Sequence, residues 1–180
     1  VEPSTYGYKV LGAGYRVLVL GSAFRVRGSG FRVQRFSRLV MGLLTGRVAI
    51  VTGASKGIGR VISQLFAREG ARVACAARSA DLLKDAVAEI ERAGGQAIPV
   101  ASDVSREEDA RRLVAETIEK FGSLDCLVNN AGDSGPTAPV QDYPLDDWHY
   151  TINSCLTSTY LCARFSVPAM VGAGRGGIVN

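Results

Sequence analysis

The chain has 180 residues, 47% hydrophobic and 21% charged, an ordinary globular composition long enough for one domain with a substantial core. Its net charge of +4 is unevenly placed: residues 1–40 carry seven Lys/Arg against the single acid Glu2, whereas 41–180 hold 14 basic and 16 acidic residues. The folded part therefore gives no reason to expect nucleic-acid binding, and no apolar run approaches the length of a bilayer span.

Residues 1–40 read as a leader, expected to be unstructured or non-native. Tyr15–Val19, Phe24–Arg27 and Phe31–Phe36 look loosely repetitive, and the glycines between them disfavour a continuous helix. The favoured reading is upstream sequence translated in frame, with Met41 as the natural start and a cytoplasmic protein behind it. An Arg-rich, acid-poor transit peptide, hence a mitochondrial or plastid address, is the alternative. His149 is the sole histidine, and Cys75, Cys126, Cys155 and Cys162 form no C-x-x-C pair, so no metal site is expected. Cys75 and Cys126 lie inside apolar runs and read as small core residues.

From Met41 onward, strand and helix patterns alternate. Val48 to Val51 reads as a buried strand and Arg60 to Glu69 as a helix. Thr52-Gly53-Ala54-Ser55-Lys56-Gly57-Ile58-Gly59 joins them. A strand turning sharply into a helix leaves N–H groups unpaired at the helix start, and with the helix dipole these suit an anion such as a pyrophosphate. Gly53 is expected to permit the turn, Gly57 the approach of the phosphates, and Gly59 the packing of helix on strand. A plain loop is the alternative, disfavoured by the flanking strand and helix.

Arg72 to Ala77 is a second strand. Asp81 to Ala93 is a helix with Leu82, Leu83, Ala86, Val87 and Ile90 on one face, stopped by Gly94-Gly95. Gln96 to Ala101 is a third strand. Ser105, with Glu108 three residues on, has the capping-box pattern for a helix whose apolar face is Leu113, Val114, Thr117 and Ile118. Leu124 to Asn129 is a fourth strand, Leu145 to Met170 a long helix, and Gly176 to Asn180 the start of a fifth strand. Within the long helix, Trp148 reads as a packing residue and His149 as exposed. Buried strands alternating with helices imply a parallel sheet covered on both faces, with ligands at the carboxyl ends of the strands where the strand order reverses.

The T-G-x-x-x-G-I-G spacing after the first strand, with Asn129-Asn130-Ala131-Gly132 after the fourth, resembles the short-chain dehydrogenase/reductase family. The resemblance covers Met41 to Asn180. It implies an α/β fold, a Rossmann-type doubly wound parallel sheet truncated at about the fifth strand. Function would be hydride transfer between a nicotinamide cofactor and a small-molecule carbonyl or secondary alcohol. The cofactor-binding residues it implies are Gly53, Ser55, Lys56, Gly57, Ile58, Gly59, Arg78, Asp103, Val104, Asn130, Ala131 and Gly132. Arg78 stands where an acidic residue would accept from a ribose 2′-hydroxyl. With Lys56 it matches the family's NADP-preferring pattern, so NADP(H) is expected over NAD(H); two solvated cations are the alternative. Asp103 is expected beside the adenine, or else is a plain loop residue.

The chain also departs from the family. Relatives commonly carry a catalytic Asn on the long helix; aligning Leu156 to Tyr160 puts Cys155 there, and Asn153, roughly 200° away on an α-helix, faces elsewhere. The family's catalytic Ser and Tyr-x-x-x-Lys are not found, and Tyr160 is followed by Arg164 rather than Lys. No catalytic residue is therefore assigned, and the chain is expected to be the inactive cofactor-binding front of an enzyme whose full-length form is a homodimer or homotetramer. A non-catalytic NADP(H)-binding module or sensor is the second reading. No nucleic-acid or membrane partner is expected.

Overall fold

The computed structural model describes residues 7–9, 18–20 and 42–180. The chain divides into two units, 1–40 and 41–180. In the first, β1 (Gly7–Lys9) and β2 (Leu18–Leu20) pair antiparallel. The other expectations for the leader, and for Met41 as a start, lie outside the described residues.

The second unit is a five-stranded parallel sheet in the order β5-β4-β3-β6-β7. Its strands are β3 (Val48–Thr52), β4 (Arg72–Ala77), β5 (Gln96–Ala101), β6 (Cys126–Val128) and β7 (Gly177–Val179). Central β3 is buried along its whole length, as a strand covered on both faces must be. Pro99, which cannot donate to a ladder, is accommodated because β5 is an edge strand. The sheet is the doubly wound Rossmann-type arrangement expected.

Helices α1 (Gly57–Arg68) and α2 (Ala80–Arg92) cover one face, where Val51, Val73, Cys75, Leu83, Val87 and Ile90 form a core. Helices α3 (Glu107–Phe121) and α5 (Ser158–Gly172) cover the other, with Ile50, Ala74, Val100, Leu113, Leu127 and Leu161. The order reverses at β3: the chain runs β3, β4, β5 to one edge, then returns through α3 to β6 on the other side. Burial pushes the Cys75 thiol up to about 11 and that of Cys162 up to about 12, so both sit in the core as inert thiols.

Several local expectations are corrected. Ser105 does not cap α3; its hydroxyl donates to Asp103 Oδ1 at 2.7 Å, and the N-cap is Arg106 without a side-chain bond. Asp103, two residues away, competes for the hydroxyl as an Asx turn does. Leu82 is 42% exposed, so the buried face of α2 is Leu83, Ala86, Val87 and Ile90. Trp148 is 54% exposed rather than packed. The expected single helix from 145 is α4 (Leu145–Ile152), a π-helical turn (Asn153–Thr157) and α5.

At the amino ends of the strands, Asp125 ties three segments together. Its Oδ2 accepts from the Val48 N–H at 2.9 Å, while Arg47 and Arg175 both donate to Oδ1. Burial alone would raise its pKa, but the Val48 N–H and the two guanidiniums outweigh that and hold the carboxyl below its ordinary value. A carboxyl with a depressed folded-state pKa contributes stability in full above its unfolded pKa of about 4, and loses it as pH falls through the folded value. Asp125→Asn is therefore expected to lower the melting temperature at pH 7 and to flatten its decline below about pH 4. A variant whose acid limb superimposes on that of the parent would contradict this role.

Candidate functional site

The site lies at the carboxyl ends of β3, β4 and β6. Gly53 (φ +68°) and Gly57 (φ +56°) take the left-handed conformation that a side chain disfavours, so the β3–α1 loop depends on them. A Cβ at Gly57 would meet nothing, which leaves open space for a ligand against its backbone. Gly59 is the opposite case: its Cβ would collide with the Gly53 carbonyl and with Asn130 Nδ2. Gly59 therefore packs tightly against the end of β3, while the backbone at Gly57 is open. Gly53, besides turning the chain, approaches Asn130 Nδ2 and Ala131 so closely that a Cβ would stand 2.8 and 3.1 Å from them.

The start of α1 is electrostatically open. Its N-cap, Lys56, makes no side-chain cap bond, and its first turn holds no acid, whereas α2, α3 and α4 all carry acids in theirs. Its dipole is left for an anion. Lys56 and Ile58 are exposed on this loop, and Ser55 is buried beneath it.

Thr52, in the last position of β3, joins the glycine loop to the segment after β6. Its Oγ1 accepts from the N–H groups of Asn130 (3.0 Å) and Ala131 (2.9 Å) and donates to the Val128 carbonyl (3.3 Å), while Asn130 Nδ2 donates to the Thr52 carbonyl (3.0 Å). The sequence reading gave Thr52 no role, although its place before the first glycine was the available signal. Asn129 bridges strand ends: its N–H donates to the Val179 carbonyl and its Nδ2 to Asn180 Oδ1.

Arg78 stands one residue past β4 and is exposed. Its Nη1 donates to the Tyr150 hydroxyl at 3.0 Å, and that hydroxyl donates to Asp133 Oδ2 at 3.3 Å. The bond to Tyr150, with smaller contributions from the charges of Asp103 and Asp133, raises the guanidinium pKa further. Asp103 accepts from Ser105 through Oδ1, its own N–H donating to Asp109 Oδ2; Val104 beside it is buried in the core. Cys155 lies on the π-helical turn with its thiol donating to the Asp133 carbonyl at 3.5 Å, and a Cβ at Gly132 would stand 3.1 Å from Sγ. Cys155, not Asn153, thus adjoins the Asn130–Gly132 segment, while Asn153 accepts from the Thr157 hydroxyl. The turn is π- rather than α-helical, yet the two residues still have different partners.

These features fit a dinucleotide: an uncapped helix start, a glycine with room above it, small Ala131 and Gly132, and an exposed guanidinium. An open apolar groove between α5 and β7 lies at the amino-terminal end of the sheet and takes no part. Among the described residues no three His, Cys, Asp or Glu cluster as metal ligands, and no helix is long and apolar enough to cross a membrane.

Comparison with known proteins gives consistent results. The family profile described as short chain dehydrogenase matches residues 47–180. A 3β-hydroxysteroid dehydrogenase from Mediterraneibacter gnavus is 39% identical over 145 residues, covering 81% of this chain and 52% of that protein. Among solved structures, a metagenomic short-chain oxidoreductase in complex with NADP superposes with a TM-score of 0.72 at 38% identity, over 75% of this chain and 61% of that one. An NAD+-bound xylitol dehydrogenase superposes with a TM-score of 0.75 at 33% identity, over 77% and 53%. The chain spans about half the length of the curated relatives it matches.

Proposed function

The chain belongs to the short-chain dehydrogenase family, and we propose that it forms the NADP(H)-binding part of an oxidoreductase acting on a small carbonyl or secondary-alcohol substrate. The observation that carries the reading is the joined pair of loops, Thr52 to Gly59 and Asn130 to Gly132, at the point where the strand order reverses. The N–H groups at the start of α1, with Gly53, Ser55, Gly57, Ile58 and Gly59 around them, would receive the pyrophosphate. Asp103 would flank the adenine, with Val104 offering only its backbone there because its side chain is buried in the core, and Asn130, Ala131 and Gly132 would flank the ribose and nicotinamide. Arg78, helped by Lys56, would receive a ribose 2′-phosphate; its charge and exposure support NADP(H), while the relatives include proteins bound to either nicotinamide dinucleotide. When bound, the cofactor supplies or accepts hydride.

One observation favours a second reading, a nucleotide-binding module without chemistry. Cys155 occupies the position of the family's catalytic Asn, and a thiol is a weak donor and acceptor where an amide can hold a water. Both readings expect binding without turnover from these 180 residues, since no Tyr-x-x-x-Lys follows a Ser within them. The purified protein should bind NADPH yet oxidise it with a panel of aldehydes and ketones no faster than a no-enzyme control. Turnover clearly above that control, abolished by mutating a residue of this chain, would overturn the expectation. The full-length protein is expected to be a homodimer or homotetramer.

A further inference from the structure

The joined loops have elements of both sheet faces on either side of them. Arg78 leaves the carboxyl end of β4 toward α2, on the sheet face that carries α1; Tyr150 belongs to α4, which leads into α5 on the opposite face. Asp133 follows β6. Because β3 lies between β4 and β6, the chain of bonds from Arg78 through Tyr150 to Asp133 spans the strand end at which the glycine loop begins.

The chain of bonds is directional and anchored. Gly135 N–H donates to Asp133 Oδ1 at 3.1 Å, which fixes the carboxylate. Asp133 Oδ2 accepts a hydrogen bond from the Tyr150 O–H, which leaves the phenolic oxygen to accept from Arg78 Nη1. The guanidinium carbon also lies 6.0 Å from the centroid of the Tyr150 ring. Among the described residues the Nε and Nη2 groups of Arg78 make no hydrogen bond, so part of its planar fork remains available to a second acceptor. An exposed arginine without such a tether must surrender substantial side-chain entropy when it grips a phosphate; one already held by a neighbour surrenders less.

We infer that Tyr150 is a positioning residue for cofactor choice: acting from α4, it holds the Arg78 guanidinium where the 2′-phosphate of NADP(H) is received. The inference rests on the NADP(H) reading above and adds a residue that neither glycine motif contains. Tyr150 acts through Arg78, so it discriminates between cofactors differing only in the 2′-phosphate and leaves their shared parts unaffected.

Equilibrium titration of the purified protein with NADP+ and with NAD+ tests this in the parent, Tyr150→Phe and Tyr150→Ala. Phenylalanine keeps the ring and removes the hydroxyl; NADP+ affinity should fall about three- to ten-fold, less than a direct hydrogen bond to a charged group is worth because Tyr150 acts only through Arg78, with NAD+ affinity within about two-fold of the parent. Alanine removes the ring contact as well and should lower NADP+ affinity further. A merely structural role for Tyr150 would instead weaken both dinucleotides together and lower the melting temperature, and that result overturns the inference. So does a parent preference for NADP+ that Tyr150→Phe leaves intact, while the NADP(H) reading survives. A parent that binds both dinucleotides alike overturns that reading and this inference together.

Discussion

Replacing Gly59 by valine is expected to destabilise the protein by about 3 kcal/mol, at the upper end of what overpacking costs. The Cβ would overlap the Gly53 carbonyl and Asn130 Nδ2, and neither can swing away. The carbonyl is backbone in a loop held by two left-handed glycines, and Asn130 Nδ2 is committed to the Thr52 carbonyl. Alanine at 59 should be milder, at about 1–2 kcal/mol, because its better helix propensity offsets part of the clash. Denaturant midpoints of the two variants against the parent give the comparison. A valine variant as stable as the parent would mean that α1 can move off β3 freely, contrary to the close packing described.

Thr52→Val is the second large effect expected. The substitution preserves shape but removes the only side-chain acceptor that the Asn130 and Ala131 N–H groups have among the described residues, and leaves the Val128 carbonyl without its hydroxyl donor. Thr52 is 1% exposed, so water cannot readily replace the hydroxyl there. Two N–H groups stranded at about 1–3 kcal/mol each set a loss of about 2–4 kcal/mol, allowing for partial relaxation. Thr52→Ser, which keeps the oxygen, should retain most of the stability. If Val and Ser variants melt alike, the hydroxyl is not what joins the loops.

Much of this architecture is legible in the sequence because its signals are local. Val48 to Thr52, Gly53 to Gly59 and the periodic faces of α2 and α3 each declare themselves within about fifteen residues, and alternation of such segments implies a parallel sheet. The two loops of the site are legible for the same reason. Their connection is not: Thr52 and Asn130 are 78 positions apart, and nothing within either motif says that one side chain satisfies the other's backbone. The Arg78–Tyr150–Asp133 chain is equally non-local, drawing on three elements.

Local sequence patterns and structure part where two local preferences compete or where hydrophobicity does not mean burial. Ser105 has a helix-capping pattern, yet Asp103 offers its hydroxyl a carboxylate two residues away. Trp148 and Leu82 are apolar on helices and still stand about half in solvent, since only the strip of a helix facing its sheet is covered. The π-helical turn at Asn153–Thr157 has no spacing signature, so the break it makes in the long helix is not legible in the sequence.

The reading of this chain as an NADP(H) site turns most on Arg78, and a reversal of its charge probes it most directly. Dissociation constants for NADPH and NADH should be measured on the parent and on Arg78→Asp. The variant is expected to lose NADPH affinity on the order of 100-fold, the worth of a charge-assisted contact replaced by repulsion, while NADH affinity changes about three-fold or less. An equal loss for both cofactors, or none for either, would contradict the assignment of Arg78 to the 2′-phosphate.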